Sequence, residues 1–490
     1  MALPDLSRLS SLSLEHVGAL NARLRGLGVD RSAMAPYARH GEGLSDRMRR
    51  PLRAFHLRRT ESPLVFALRL FVFMDPVTRA QASAALGDEL LLEALLEAGL
   101  LVERDSLVVC PLYLNLVDDV YVLCDDLTLG GAAVMGSGVT TAELIQAAWP
   151  LQHVERVLDL GCGAGTAALL LAKRATLAVG TDLNPRAILL SRFNLSLAGL
   201  DNVEFALGDL FAPVADTRFD LIVAQPPFVS KPDSAEDVTY LHGGARGDEL
   251  VLRMLRELPP QLAPRGRAVF LVDWPRYDTV TPAERIREAL GGGAFDVLVL
   301  SSLSKNLEEY VAFYAAGAHP ELTEAYAAAV HEHLEHLRRI GLTELRATLI
   351  VIRATAHKPW QHTVNMRSFS EARPTGAQVE RLIRAQDLLN ADPARLLAAR
   401  LIVPEGTRFT QEASGGVRIE MPASRLLGPV VCAPSAAELL SAINESATVE
   451  AAVSALATKL DLNTVVGREQ ILEGARNALD QGLLEVVLDG

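Results

Sequence analysis

Val157–Ala172 reads VLDLGCGAGTAALLLA, an apolar strand running into a glycine-rich turn and then a helix of small and apolar residues. Glycines let a backbone pass close to a ligand, and the exposed N–H groups of a helix start favour an acceptor there. The spacing is G-x-G-x-G over Gly161, Gly163 and Gly165, with Asp159 two residues ahead. A dinucleotide fingerprint needs G-x-G-x-x-G and a phosphate loop needs G-K-[ST], so neither fits.

Working outward, three further stretches share the pattern of a strand followed by a polar turn. Leu177–Asp182 (LAVGTD) ends in an acid 23 residues after Asp159. That is about one βαβ repeat on, where a carboxylate can receive a ribose diol. Val203–Phe211 (VEFALGDLF) is a third strand with Gly208-Asp209-Leu210, placed to cover an adenine edge and face. Phe219–Phe228 (FDLIVAQPPF) is a fourth, ending in Gln225-Pro226-Pro227-Phe228.

With these four motifs in order, the chain resembles the class I S-adenosylmethionine-dependent methyltransferases over roughly 133–355. More narrowly, it resembles the branch with an [Asn/Asp/Ser]-Pro-Pro-[Tyr/Phe] tetrapeptide, which includes protein-glutamine N5- and nucleobase N-methyltransferases. The resemblance implies an α/β fold with a seven-stranded doubly wound, Rossmann-like core and S-adenosyl-L-methionine as cofactor. It implies that Asp159, Gly161 and Gly163 hold the amino-acid end, with Gly165 also among the cofactor-binding residues. Asp182 then takes the ribose hydroxyls beside Leu183, while Asp209 reads the adenine amino group with Leu210 on the ring face. Thr140 and Thr141 are candidate caps of the helix that roofs the cofactor, and Thr141 counts among the cofactor contacts.

Gln225 departs from the resembling pattern. A shorter side chain there accepts from the target N–H, the carbonyl before the second proline, that of Pro226, takes another, and Phe228 packs on the substrate plane. A glutamine amide can still accept, but its extra methylene moves the head by ~1.5 Å, one C–C bond. Reactivity responds to errors of that size. Either the target sits farther out or the side chain folds back. Tyr240–Leu250 (YLHGGARGDEL) stands where related enzymes position a substrate lid, and its His242 could orient the substrate or accept a proton through water.

Composition bounds the rest. The chain has 490 residues, 49% hydrophobic and 22% charged, which suits a multi-domain globular protein. Its net charge of −13 disfavours a sequence-blind grip on nucleic acid, which needs a cationic track. The one basic cluster, Arg47–Arg59, reads as a solvated helix face or a site for an anionic substrate group. Cys110, Cys124, Cys162 and Cys432 lie too far apart for a metal cluster and suit a reducing cytosol. No leader and no membrane-length apolar run stands out, so the expected location is cytoplasmic. His331, His333 and His336, on a helix expected over Glu321–Arg339, read as surface histidines, not a metal site.

The expected segments are 1–132, helical and then winged-helix-like, 133–356, catalytic, and 373–490, winged-helix-like. In the first, Asp88–Ala98 is a helix capped by Asp88 and stopped by Gly99, followed by strands Leu100–Glu103 and Leu107–Cys110. Gly130–Gly138 is a glycine-rich hinge. Strands five to seven are expected at Val269–Trp274, Val297–Ser301 and Ala347–Arg353. In the last segment Ser435 and Glu438 form a capping box, helices follow at Thr448–Leu460 and Glu469–Gln481, and Leu483–Val487 closes the unit. Its role is a substrate clamp or homodimer contact. The favoured acceptor is a planar nitrogen of a small amino-acid-like metabolite or peptide. The alternatives are a protein glutamine or RNA base, or a cofactor-binding regulator with Gln225 as its lesion.

Overall fold

Four parallel strands carry the four motifs, each a short aliphatic run bounded by turn-forming residues. They are β1 (Val154–Leu160), β2 (Ala175–Asp182), β3 (Val203–Leu207) and β4 (Phe219–Ala224), in the order β4-β1-β2-β3. Their register sets Ala224, Leu160, Thr181 and Ala206 in one row. Gln225, Gly161 and Asp182 therefore leave the sheet side by side at its C-terminal edge. This edge, where the strand order reverses about β1, is where open α/β sheets bind ligands. Between β2 and β3 runs the helix Pro185–Ala198, capped by Asn184 and stopped by Gly199 in the left-handed conformation.

The computed structural model describes residues 3–38, 46–233, 235, 238–277, 281–319, 321–366, 374–421 and 429–487. It divides into two compact units: Met1–Ala142, His153–Gln261 and Tyr310–Ile340 form the first, and Glu143–Gln152, Leu262–Glu309 and Gly341–Gly490 the second. Strands β1–β4 belong to the first. The second holds β5 (Leu262–Tyr277), β6 (Phe295–Ser304), β7 (Leu342–Ala354) and β8 (Gln361–Asn365), ordered β8-β6-β7-β5. Strand β7 is antiparallel to β5 and β6, and β8 is parallel to β6. The second unit thus has four strands of this kind where three, the fifth to seventh, were expected. QHTVN hid β8, because only Val364 of the five is buried.

In the first unit, the helix Glu89–Glu97 begins at Asp88, whose carboxylate accepts from Leu90 N at 2.9 Å. The strands Val102–Arg104 and Leu107–Val109 follow, joined through Asp105 and Ser106 at φ 51° and 65°. Two left-handed central residues give the hairpin turn whose twist matches its strands. The strand Val77–Thr78 adds a third. The basic cluster forms the helix Asp46–Leu57 and is not simply a solvated face. Arg50 bonds Asp126 at 2.9 Å and lies over the Tyr113 ring, and Arg58 just beyond bonds Asp75.

The expected surface histidines need a larger correction. The helix runs Glu324–Arg339, and His333 and His336 are 6% and 2% exposed, with only His331 at the surface. Positions three apart share a helix face, and this face packs inward against the loop that follows the tetrapeptide.

In the second unit the expected capping box fails. The helix Pro434–Glu445 starts at Pro434 behind Ala433, with no side-chain cap, and Glu438 pairs with Lys459. Proline at the first helical position needs no N–H acceptor, so the cap has less to do. The helices Val449–Lys459 and Val465–Asp480 follow, capped by Thr448 and Thr464; the second begins four residues earlier than expected. The closing strand Glu485–Val486 pairs with the distant Leu401–Ile402. Ile443, Val453, Leu456, Leu472 and Leu479 lie in one apolar core of this region. Asp296, His357 and Asp387 stand close enough to share a cation, but Arg353 bonds both carboxylates, at 3.0 and 2.8 Å, so a guanidinium already takes that place. Among the described residues, no helix is long and apolar enough to cross a membrane.

Candidate active site

The glycine-rich turn is made by backbone. Gly161 N and Cys162 N both donate to Thr181 O, at 2.8 and 2.9 Å, stitching the end of β1 to the end of β2. Gly163 and Gly165 have φ of +52° and +86°, which side chains rarely adopt. A Cβ on Gly165 would also lie 2.8 Å from the Phe205 ring. Two acids face this turn. Asp182 accepts from Gly163 N and Asn184 N, both at 2.8 Å. Asp159 accepts from Ala168 N at 3.0 Å, and burial pushes its pKa up to about 7 despite that bond, with Asp182 adding to the shift. Burial raises Asp182 too, against the pull of its backbone donors. Cys162 is buried and its thiol is held well above its ordinary pKa, which makes it an inert filler.

This donor set fits S-adenosylmethionine. Asp159 and Asp182 are carboxylates in a dry turn, suited to an ammonium and a diol, and the two Asp182 oxygens have more acceptor sites than their backbone donors fill. Leu183, next along, is 62% exposed, an apolar surface beside the turn for a ring to cover. Leu210 is half-buried and held at φ 49°. Strained left-handed residues cluster at ligand sites. Asp209 is engaged by Arg253 through both oxygens, at 3.1 and 2.8 Å, which the sequence did not indicate.

The acceptor side is made by side chains. Gln225 folds back. Its Nε2 donates to Thr140 Oγ1 at 2.5 Å, and its Oε1 accepts from Thr141 Oγ1 at 3.0 Å. Thr141, expected over the cofactor, therefore stands on Gln225. Pro226 is buried and Phe228 half-buried. A Cβ on Gly243 would lie 2.6 Å from Pro227 O and 2.9 Å from Phe228 Cα, and one on Gly247 would lie 2.6 Å from Phe228 O. The loop thus packs backbone to backbone on the tetrapeptide. His242 Nδ1 accepts from Val238 N at 3.1 Å, so this ring nitrogen is tied back to its own loop.

Behind that loop stand residues that the sequence reading missed. His333 Nε2 bonds Ser230 Oγ at 3.1 Å, and His336 Nε2 donates to Ala245 O at 2.7 Å. Burial, with His336 and His242 nearby, lowers the His333 pKa to about 4, so the ring is neutral. A second missed element laces the hinge to the start of the helix after β2. Asp125 Oδ2 accepts from Val134 N at 2.9 Å and from Arg186 Nε at 2.7 Å, and Asn184 Nδ2 donates to Ala132 O at 3.1 Å. No spacing rule pairs residues 61 apart; the only signal was a doubled acid, Asp125-Asp126, ahead of the glycines.

Sheet order, turn and tetrapeptide together define a Rossmann-like fold of the class I methyltransferase type. Residues 139–241 match the model of the methyltransferase small domain, and the resemblance to the N-methyltransferase branch holds. The chain is 38% identical over 124 residues to a ribosomal protein uL3 glutamine methyltransferase of Bradyrhizobium diazoefficiens, covering 23% of this chain and 39% of that protein. It is 35% identical over 125 residues to a release factor glutamine methyltransferase of Geobacter sulfurreducens, covering 23% and 44%. The chain thus spans less than half the length of either relative. Among solved structures, it is similar to the N-methyltransferase NodS of Bradyrhizobium japonicum with S-adenosyl-L-homocysteine, at 17% identity and TM-score 0.28, covering 44% of this chain and 89% of that one.

Proposed function

We propose that this protein is an S-adenosylmethionine-dependent methyltransferase whose acceptor is the side-chain amide nitrogen of a protein glutamine. The observation that carries this reading is the shared row of the sheet. Leu160 lies opposite Ala224, so the cofactor turn at Gly161 and the acceptor-reading amide at Gln225 leave adjacent strands together. The named relatives act on protein glutamine, which moves the acceptor from the small metabolite first expected to a protein amide.

Bound S-adenosylmethionine supplies a methyl group activated by its sulfonium. Asp159 would hold its ammonium, Asp182 its ribose diol, and Leu183 with Leu210 its adenine, with Asp209 as acceptor for the adenine amino group. An amide nitrogen is a poor nucleophile, because its lone pair is shared with the carbonyl. Two acceptors, Gln225 Oε1 and the Pro226 carbonyl, orient its N–H bonds, and Phe228 supports the amide plane. The chain contributes position and acceptors, and no covalent nucleophile. Residues 373–490 serve as the element that recognises the acceptor protein.

Methyl-labelled S-adenosylmethionine with purified ribosomal protein uL3 and a peptide release factor tests this reading. A gain of one methyl mapped to a glutamine supports it. Cofactor binding by calorimetry without methylation of either protein, or of any glutamine in a cell-protein panel, overturns the acceptor class.

A further inference from the structure

We propose that Thr140 and Thr141 are positioning residues for the methyl acceptor: they clamp the Gln225 amide so that its carbonyl oxygen turns a lone pair to the acceptor N–H. This rests on the methyl-transfer reading above. A glutamine amide has two acceptor sites on oxygen and two donor hydrogens on nitrogen. The clamp takes one of each, through Thr141 Oγ1 to Oε1 at 3.0 Å and Nε2 to Thr140 Oγ1 at 2.5 Å. One lone pair on Oε1 remains for a substrate.

The sense of the clamp is set by the main chain. Gly138 N donates to Thr141 Oγ1 at 3.4 Å, which leaves the hydroxyl proton of Thr141 for Gln225 Oε1. With its oxygen on Thr141, the amide turns its N–H to Thr140. Donation from the nitrogen draws electron density toward the oxygen, and linked hydrogen bonds strengthen one another, so Oε1 becomes a better acceptor. The clamp also answers the extra methylene. A glutamine has one more rotatable bond than an asparagine, so its head must be held from outside to be as well placed. Both threonines lie on the first turn of the helix Val139–Ala148, so one rigid element delivers both hydroxyls. The acceptor reader is thus the tetrapeptide together with a threonine pair 84 and 85 residues upstream.

Thr140→Val and Thr141→Val, singly and combined in the full chain, remove the hydroxyls at nearly constant shape, and Thr141→Ser keeps the one that donates. The first readout needs no acceptor: the side-chain amide protons of Gln225 in glutamine-labelled protein, followed by NMR. The parent is expected to show two resolved, slowly exchanging signals, and the double valine variant to exchange like a free glutamine amide. The second readout is turnover with S-adenosylmethionine and N-acetyl-L-glutamine methylamide. The double variant is expected to lose about tenfold or more in kcat, the scale of a small misplacement, with KM for the cofactor unchanged and Thr141→Ser near the parent. In a Gln225→Ala background the valines are expected to cost nothing further. Unchanged amide exchange in the double variant overturns the clamp, and so does an undiminished valine effect when Gln225 is already alanine. A parent that methylates no amide overturns the functional reading instead, while amide exchange still decides the clamp.

Discussion

The turn after β1 and the acceptor side after β4 lie side by side in the sheet, yet they are built from different materials. The turn is backbone: three glycines, two N–H groups on Thr181 O and two acids on neighbouring strand ends, within 24 residues of sequence. On the acceptor side remote side chains hold the reading group and its loop. Gln225 rests on Thr140 and Thr141, and the loop behind it on histidines about 100 residues downstream. A backbone site is specified by local conformation, so its geometry tolerates exchange of most surrounding side chains. A site assembled from remote side chains depends on each of them and can be retuned by one. The cofactor half should therefore respond to substitution through affinity, and the acceptor half through turnover.

Gln225→Ala should give the largest effect. It removes the amide that orients the acceptor and touches no group assigned to the adenosyl moiety. Turnover is expected to fall by ~10²-fold or more, with S-adenosylmethionine affinity by calorimetry nearly intact. Equal losses in both quantities would erase the division between the two halves. Gln225→Asn sharpens the test. With the clamp in place, shortening the side chain should also lower turnover, because asparagine cannot reach both threonines from the same backbone position.

Asp182→Ala comes next, with cofactor binding weakened by ~1.5–3 kcal/mol, the scale of a hydrogen bond to a charged group. In the sequence it is only the acid that ends a strand. The structure makes it a partner of Gly163 N and Asn184 N, so its loss leaves two N–H groups without acceptors and should lower the melting temperature as well. An unchanged melting temperature would show that the turn holds its shape without the acid.

That contrast also measures what could be read without a structure. Asp159, the three glycines and Asp182 were legible because one strand-turn-helix pattern places them, and strand register does the rest. The Asp125–Arg186 bonds, the threonine clamp and the buried His333–Ser230 contact were not, because each joins stretches with no shared periodicity. His333 and His336 carry a residue type common on surfaces, at a spacing that a surface face would also show. β8 was missed because a short polar strand has no alternation to read.

His333 tests the support behind the acceptor side through pH. Its pKa lies near 4 in the folded state, below the ordinary 6.5 of the unfolded chain, because burial and the neighbouring His336 and His242 oppose its charge, with Glu332 acting weakly the other way. Its contribution is fully present above pH 6.5 and is lost as pH falls toward 4, since the unfolded chain then binds the extra proton. By pH 5, about 1.5 units below the unfolded value, the loss should be roughly 2 kcal/mol, at ~1.4 kcal/mol per pKa unit. His333→Gln, which keeps a polar contact to Ser230, should remove that part of the acid sensitivity in denaturant melts taken at a series of pH values. Identical pH profiles for parent and variant would take His333 out of the account.

The smallest effect is expected from Asp159, and it runs the opposite way. Burial raises its carboxyl from 3.8 to about 7, so near neutrality part of the free protein carries a proton there. A group raised on folding favours the folded state at low pH, and that advantage fades as pH rises through 7. Cofactor binding reverses the preference. An ammonium beside Asp159 favours the ionised carboxylate, so binding must drive off the proton wherever it is still present. Affinity should rise by up to about tenfold between pH 6 and 8, one pKa unit's worth, and calorimetry in two buffers of different ionisation heat should detect the released proton. Asp159→Asn has no proton to release, so its affinity should be lower and its pH profile flat over this window. If the asparagine variant released the same fraction of a proton as the parent, Asp159 would not face the ammonium, and the backbone turn would bind the cofactor without it.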